Sequence, residues 1–262
     1  MIISHDVDGP AEGPAVVLLH SSVCDRRMWE PQWRPLADAG YRVVRADFRT
    51  CGSSPAATEP YSDHGDVLAL LDTLGLTEAT LVGASYGGRV ALTVAALHPE
   101  RVTALALLCA GRPGHRPGPE TRAFGAAEDA LLDAGDLDGA AALNARTWLG
   151  PDADEATHAL VTRMQRDNFR HGYEAASAVA PEDPGYEQPE PEIDLRTVTA
   201  PTLAVGGAHD LPDFRTIAAE LPGLLPDARH LELPWAGHLP SLERPAEITA
   251  LLLEFLGERR PG

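Results

Sequence analysis

Three side chains of this sequence have the types and the surroundings to do covalent chemistry together: Ser85, Asp210 and His238. Ser85 stands in Gly83-Ala-Ser-Tyr-Gly87-Gly88. A G-x-S-x-G pattern arises by chance, so its context decides its meaning. Here a short apolar run, residues 79–83, precedes it, and the helix-forming RVALTVAALH follows it up to Pro99. Between a strand and a helix the glycines permit a tight, strained turn that lifts the serine hydroxyl clear. The next amides then face a reacting carbonyl from a helix N-terminus, where partial positive charge favours an oxyanion. A serine hydroxyl is a poor nucleophile until a positioned base takes its proton. That base in turn needs a carboxylate to fix its tautomer. His238, in Ala236-Gly-His-Leu-Pro, and Asp210, in Gly206-Gly-Ala-His-Asp, each follow a strand-like run. Parallel strands end together, so both side chains emerge at the sheet edge that carries Ser85. The chemistry this set allows is acyl transfer through a serine ester. Asp213 is the rival acid, but with Pro212 before it and a helix after it, it reads as that helix's cap. His209 reads as a loop residue, and His20 as a buried histidine that braces a loop.

The elements that must position these groups follow from the apolar pattern. The continuous apolar run at 14–20, and the runs at 102–110 and 201–207, suit strands buried on both faces, and 41–47, 79–83 and 228–234 also read as strands. Val67, Leu70, Leu71 and Leu74 share a helical stripe that ends at Gly75, in the place of a C′ glycine. This alternation of strand and helix favours a largely parallel sheet covered by helices. From about Arg112 to Leu195 the strand signal vanishes, and Ala-rich helical stretches fill roughly 120–134, 136–149 and 153–171. Residues 181–192 are Pro-rich and acidic and read as an extended connection. A terminal amphipathic helix is expected over 245–256. A helical insertion in an α/β core explains this order better than two tandem domains.

Composition narrows the function classes. The chain has 262 residues and a formal charge of −18, which opposes nucleic acid or an anionic membrane as partner. All 21 basic residues are arginine, so lysine Schiff-base and phosphate-loop lysine chemistry are excluded. The three cysteines, Cys24, Cys51 and Cys109, are too few and too scattered for a disulfide framework or a zinc site. No histidine pair has H-E-x-x-H spacing, so a metal-free, cofactor-free site is expected. No apolar run reaches the length of a membrane span and no leader pattern opens the sequence, which makes cytoplasmic residence the expectation.

In order, the segments PAVVLLHSS, DFRTCGSS, GASYGG, GGAHDLPDF and AGHLPSLERP resemble the α/β-hydrolase superfamily. The likeness is closest to its small esterase and enol-lactonase-like members with a helical cap. It implies an α/β fold with a mostly parallel eight-stranded sheet flanked by helices and a helical cap inserted after strand 6. The core would be residues 1–111 and 196–262, and the cap 112–195. It also implies Ser85 as nucleophile, His238 as base and Asp210 as acid, with the backbone N–H groups of Ser22 and Tyr86 as oxyanion donors. Two departures stand out. Most relatives have His-Gly where this chain has His20-Ser21, and Thr50 replaces a glycine between Asp47 and Gly52. Serine at the nucleophile position disfavours the dehalogenase and epoxide hydrolase branches, which use aspartate. In the cap, Thr157, Leu160, Val161 and Met164 form one face, opposite a solvated stripe of Arg163, Arg166 and Arg170. Phe124, Trp148 and Met164 are candidate pocket residues. The expected activity is cleavage of a small to medium carboxylic ester or lactone through an acyl-enzyme. Acyl transfer or cofactor-free perhydrolysis on the same triad, and ligand binding on a hydrolase scaffold, are the competing expectations.

Overall fold

The apolar runs form the middle of one twisted sheet in the computed structural model, which describes residues 2–178 and 188–258. Its strands are β1 (His5–Asp8), β2 (Ala15–Leu19), β3 (Arg42–Ala46), β4 (Ala79–Ala84), β5 (Val102–Leu108), β6 (Thr202–Gly207) and β7 (Ala228–Leu233). They lie in the order β1-β3-β2-β4-β5-β6-β7, all parallel except β1, which runs antiparallel to β3. The expected eight strands are therefore seven among the described residues. Ahead of β1, Ser4 donates from its amide to Ser54 Oγ and from its hydroxyl to Ser53 O, while its carbonyl accepts from Asp47 N beside the β1–β3 ladder. The charged HDVD of β1 gave no apolar signal because an edge strand is paired on one side only.

Side-chain alternation along each strand splits the core in two. Val16 and Leu18 of β2 join Leu36 of α1 (Glu30–Asp38) and Phe255 of α9 (Pro245–Gly257) on one face. Val17 and Leu19 join Leu70 of α2 (Asp63–Thr73), Val94 of α3 (Tyr86–Leu97) and Ile217 of α7 (Pro212–Leu224) on the other. The ladder pairs Leu19 with Gly83, Ala84 with Leu108, Leu108 with Val205 and Gly207 with Leu233. These strand ends are level, so the loops after β2, β4, β5, β6 and β7 open along one edge.

Three helices, α4 (Pro119–Asp133), α5 (Leu137–Trp148) and α6 (Glu155–Ala178), lie between β5 and β6. The insertion thus follows the fifth of seven strands. Asp136 caps α5 by accepting from Gly139 N at 2.8 Å. Val161 and Met164 of α6 are fully buried, whereas Arg163 and Arg170 are exposed; Arg166 pairs with Asp138 but buries its Nε, so the arginine stripe is solvated only in part. Helix α6 runs further than the expected 171. Of the Pro-rich stretch, residues 181–187 fall outside the described residues, and 188–192 are in neither helix nor strand. Among the described residues no helix is long and apolar enough to cross a membrane.

Candidate active site

The turn from β4 to α3 places Ser85 at φ 51°, ψ −113°, a left-handed geometry that costs a non-glycine residue about 1 to 3 kcal/mol. Backbone bonds hold it there: Ser85 N donates to Leu108 O, and Ser85 O accepts from Gly111 N, both at 2.9 Å. Close approach explains the glycines. A Cβ at Gly83 would lie 2.5 Å from Gly87 O, and one at Gly87 would overlap the Leu19 carbonyl. Tyr86 opens α3, so its amide belongs to the positive end of the helix. Its phenol turns away and donates to Asp63.

The loop after β2 reaches the same turn, with Gly87 N donating to His20 O at 3.1 Å. His20 is the brace the sequence suggested. Its Nδ1 lies 2.7 Å from Ser21 O, and its Nε2 accepts from Phe48 N at 2.9 Å, a pairing that fixes the Nδ1–H tautomer. Burial, first, holds its pKa below the usual histidine value. Ser22 is exposed on this loop.

Across the edge, His238 Nδ1 lies 2.6 Å from Asp210 Oδ2, with side chains 2% and 1% exposed. The other oxygen, Asp210 Oδ1, accepts from Leu211 N at 2.7 Å. The His238 amide donates to Trp148 O at 2.8 Å. The imidazole is packed by the rings of Trp148 and Phe214, centroids 4.5 and 4.3 Å away. A carboxylate on Nδ1 fixes the imidazole's orientation and leaves Nε2 as the basic nitrogen. Residues 14–245 match the family model for the alpha/beta hydrolase fold. The chain belongs to the α/β-hydrolase fold family.

Individual hydrolases are similar over almost their whole length. A protein assigned as the carbamate hydrolase RutD of Variovorax paradoxus (strain S110) is 32% identical, covering 98% of this chain and 96% of its own. Among solved structures, the enol-lactonase from Burkholderia xenovorans LB400 superposes with a TM-score of 0.77 at 27% identity, covering 97% and 96%. Est816, described as an N-acyl homoserine lactone degrading enzyme, gives 0.75 at 27%, also covering 97% and 96%.

Of the pocket candidates in this α/β-hydrolase, Trp148 touches His238 directly, and Phe124 packs edge-on against Trp148 at 4.8 Å. Met164 is fully buried in the same apolar cluster as Trp148. Asp213 corrects an expectation. It does not cap its own helix, which starts on Pro212. Its carboxylate reaches the start of α4, accepting from Gly118 N at 2.7 Å and Thr121 Oγ1 at 2.5 Å. Burial alone would raise its pKa, but those bonds and His115 hold it below the usual value.

Three residues of the hydrolase site escaped the sequence reading. Phe214 sits one turn after Asp210, where its aromatic type was the only hint. Glu243 accepts from Gly237 N at 2.8 Å and Leu239 N at 3.1 Å, either side of His238. Cys109 directly follows β5 with φ 47°, and its thiol approaches Gly237 O at 3.5 Å. Cys109, Asp210 and His238 bring sulfur, oxygen and nitrogen within 4.8 Å of one another, the one such group among the described residues. Asp210 and His238 are already bonded to each other. Burial, then the Asp210 charge, raises the Cys109 pKa well above the usual value.

Proposed function

We propose that this chain is a serine hydrolase that cleaves a carboxylic ester or lactone of a small to medium organic molecule through an acyl-enzyme on Ser85. The buried 2.6 Å pair of Asp210 and His238, on the same sheet edge as the strained Ser85 turn, carries this reading. Among the described residues Ser85 Oγ makes no hydrogen bond, so the serine is the open member of the trio. Catalytic bonds of this type often tighten only once substrate is bound.

His238 Nε2 accepts the Ser85 proton as Oγ attacks the carbonyl carbon. The oxyanion faces the amides of Tyr86 and Ser22, and Asp210 stabilises the imidazolium. Collapse expels the alkoxide, which takes the proton from Nε2 (in a lactone it stays tethered to the acyl group). Water, deprotonated by the same nitrogen, then releases the acid and restores Ser85. No cofactor is needed for these steps. Residues 112–195 serve as the cap that selects substrate, with Phe124 and Met164 along the acyl pocket and Trp148 against the His238 ring. The lactone chemistry named for two similar structures supports the substrate class.

A serine-directed fluorophosphonate tests the assignment. One adduct is expected, mapped to the peptide containing Ser85 and absent from Ser85→Ala. An adduct that forms equally well on that variant overturns the nucleophile. In a parallel screen of p-nitrophenyl esters and lactones, multiple turnover is expected from the parent chain and none from Ser85→Ala.

A further inference from the structure

The backbone beneath His238 is packed unusually close to the end of the cap helix α5. A Cβ at Gly237 would lie 2.8 Å from Gly150 Cα, one at Gly207 2.6 Å from Ala236 O, and one at Gly150 2.7 Å from Gly237 N. The carboxylate of Glu243 sits at this three-glycine junction, at the end of the short helix α8 (Pro240–Glu243). It accepts from Gly237 N and Leu239 N, and it packs directly against Gly150, where an added Cβ would overlap Oε2. Trp148, two residues before Gly150, accepts the His238 amide on its carbonyl and lays its indole on the imidazole.

We propose that Glu243 is a positioning residue for the general base, a charged clamp that ties cap residues 148–150 to the His238 loop so that cap and base hold one register. Hydrogen bonding alone does not explain a carboxylate here. An anion taken out of water is costly, and it is retained where several donors converge on it. Two backbone donors meet on this one, from either side of His238, and the cap's Gly150 packs directly against it. Arg244, next in sequence, does not neutralise it: that guanidinium goes to Asp152, Glu247 and the face of Trp235. The titratable groups that face the clamp are therefore His238 on its own loop, with Asp210 after β6 and Cys109 after β5 beyond the imidazole. Burial, first, pushes the Glu243 carboxyl above the usual range, and the neighbouring backbone amides and His238 oppose that rise.

The inference rests on His238 being the base. Glu243→Gln keeps the shape, removes the charge and replaces one acceptor with an NH₂ that cannot receive an amide. It is expected to lower kcat by roughly ten- to a hundredfold with KM within about threefold, the pattern of lost transition-state stabilisation. The acid limb of log(kcat/KM) should move to lower pH by about 0.5 to 1 unit, because removing a nearby negative charge makes an imidazolium harder to form. Glu243→Asp keeps the charge and should restore the limb but not the full kcat. A purely structural residue would leave the limb where it was. Gly150→Ala presses on the clamp from the cap side, far along the chain from every reacting group. It should lower kcat in the same way and slow fluorophosphonate labelling of Ser85.

His238→Ala is run beside them. If it stays active, the triad reading fails and the clamp with it. If it is dead while folded Glu243→Gln keeps the parental kcat and limb, the clamp alone is overturned. Should Glu243→Gln not fold, Gly150→Ala and Glu243→Asp decide the matter, and unchanged kcat and labelling in both overturn the clamp equally.

Discussion

Asp210 directs its carboxylate at His238 Nδ1, while Asp213, one turn on, directs its own at the first turn of α4. Substituting asparagine separates the two roles. Asp210→Asn should cut kcat by ~10⁴, as the equivalent change does in a serine protease, by favouring the wrong tautomer. Asp213→Asn should leave kcat within a few-fold and cost about 1 kcal/mol, the worth of a cap. Steady-state kinetics and denaturant melts of both variants check this, and the reverse ranking would remove Asp210 from the site. Thr50 offers a second test. It occupies φ 63° with its hydroxyl bonded to Arg49 O at 2.5 Å, a β-branched residue in glycine's region. Thr50→Gly relieves that strain, less the lost bond and the added freedom of the unfolded chain, and should raise stability by about 0.5 to 1 kcal/mol in urea melts. The triad candidates were legible because each lies at a strand end beside glycine. Cys109, Phe214 and Glu243 were not, since their importance comes from strand register and from where a loop folds back, which periodicity does not encode.

Strands β2, β4, β5 and β6 were readable from their apolar runs, β7 less so because most of its side chains are exposed, and the three helices between β5 and β6 from their Ala-rich stretches. Strand β1 was not, because four polar residues on an exposed edge have no reason to alternate in hydrophobicity. The inserted helices divide by what they touch. Met164→Leu and Phe124→Leu change side-chain shape with little loss of packing, so on the proposed pocket they should change the relative kcat/KM of short and long acyl esters. A methylene in a pocket is worth about 1 to 3 kcal/mol, which limits the change to roughly ten- to two-hundredfold. Fluorophosphonate labelling of Ser85 should stay within about tenfold of the parent rate in both. Trp148→Ala belongs with the chemistry instead, because the indole lies on His238. It should slow labelling and every ester alike, and a variant that changes only chain-length preference would place Trp148 with the pocket residues.

Across the whole molecule, the three cysteines report on the integrity of the fold. Cys24 and Cys109 are fully buried, and burial pushes the Cys51 thiol up to about 12. Alkylation proceeds through the thiolate, so at pH 8 the native chain should take up iodoacetamide very slowly, and the chain in denaturant should take three adducts by intact mass. Fast labelling of the native state would show that the site edge opens readily. The junction of Gly150, Gly207 and Gly237 has a different consequence, for how this scaffold can be changed. Lengthening or exchanging the insert should be tolerated at the exposed turn between α4 and α5, where residues 134–136 meet solvent. It should fail at 148–150, where one added methyl group already has no room. A chimera that borrows a relative's insert therefore needs its downstream splice ahead of Trp148, so that the recipient keeps its own anchor and inherits only the roof.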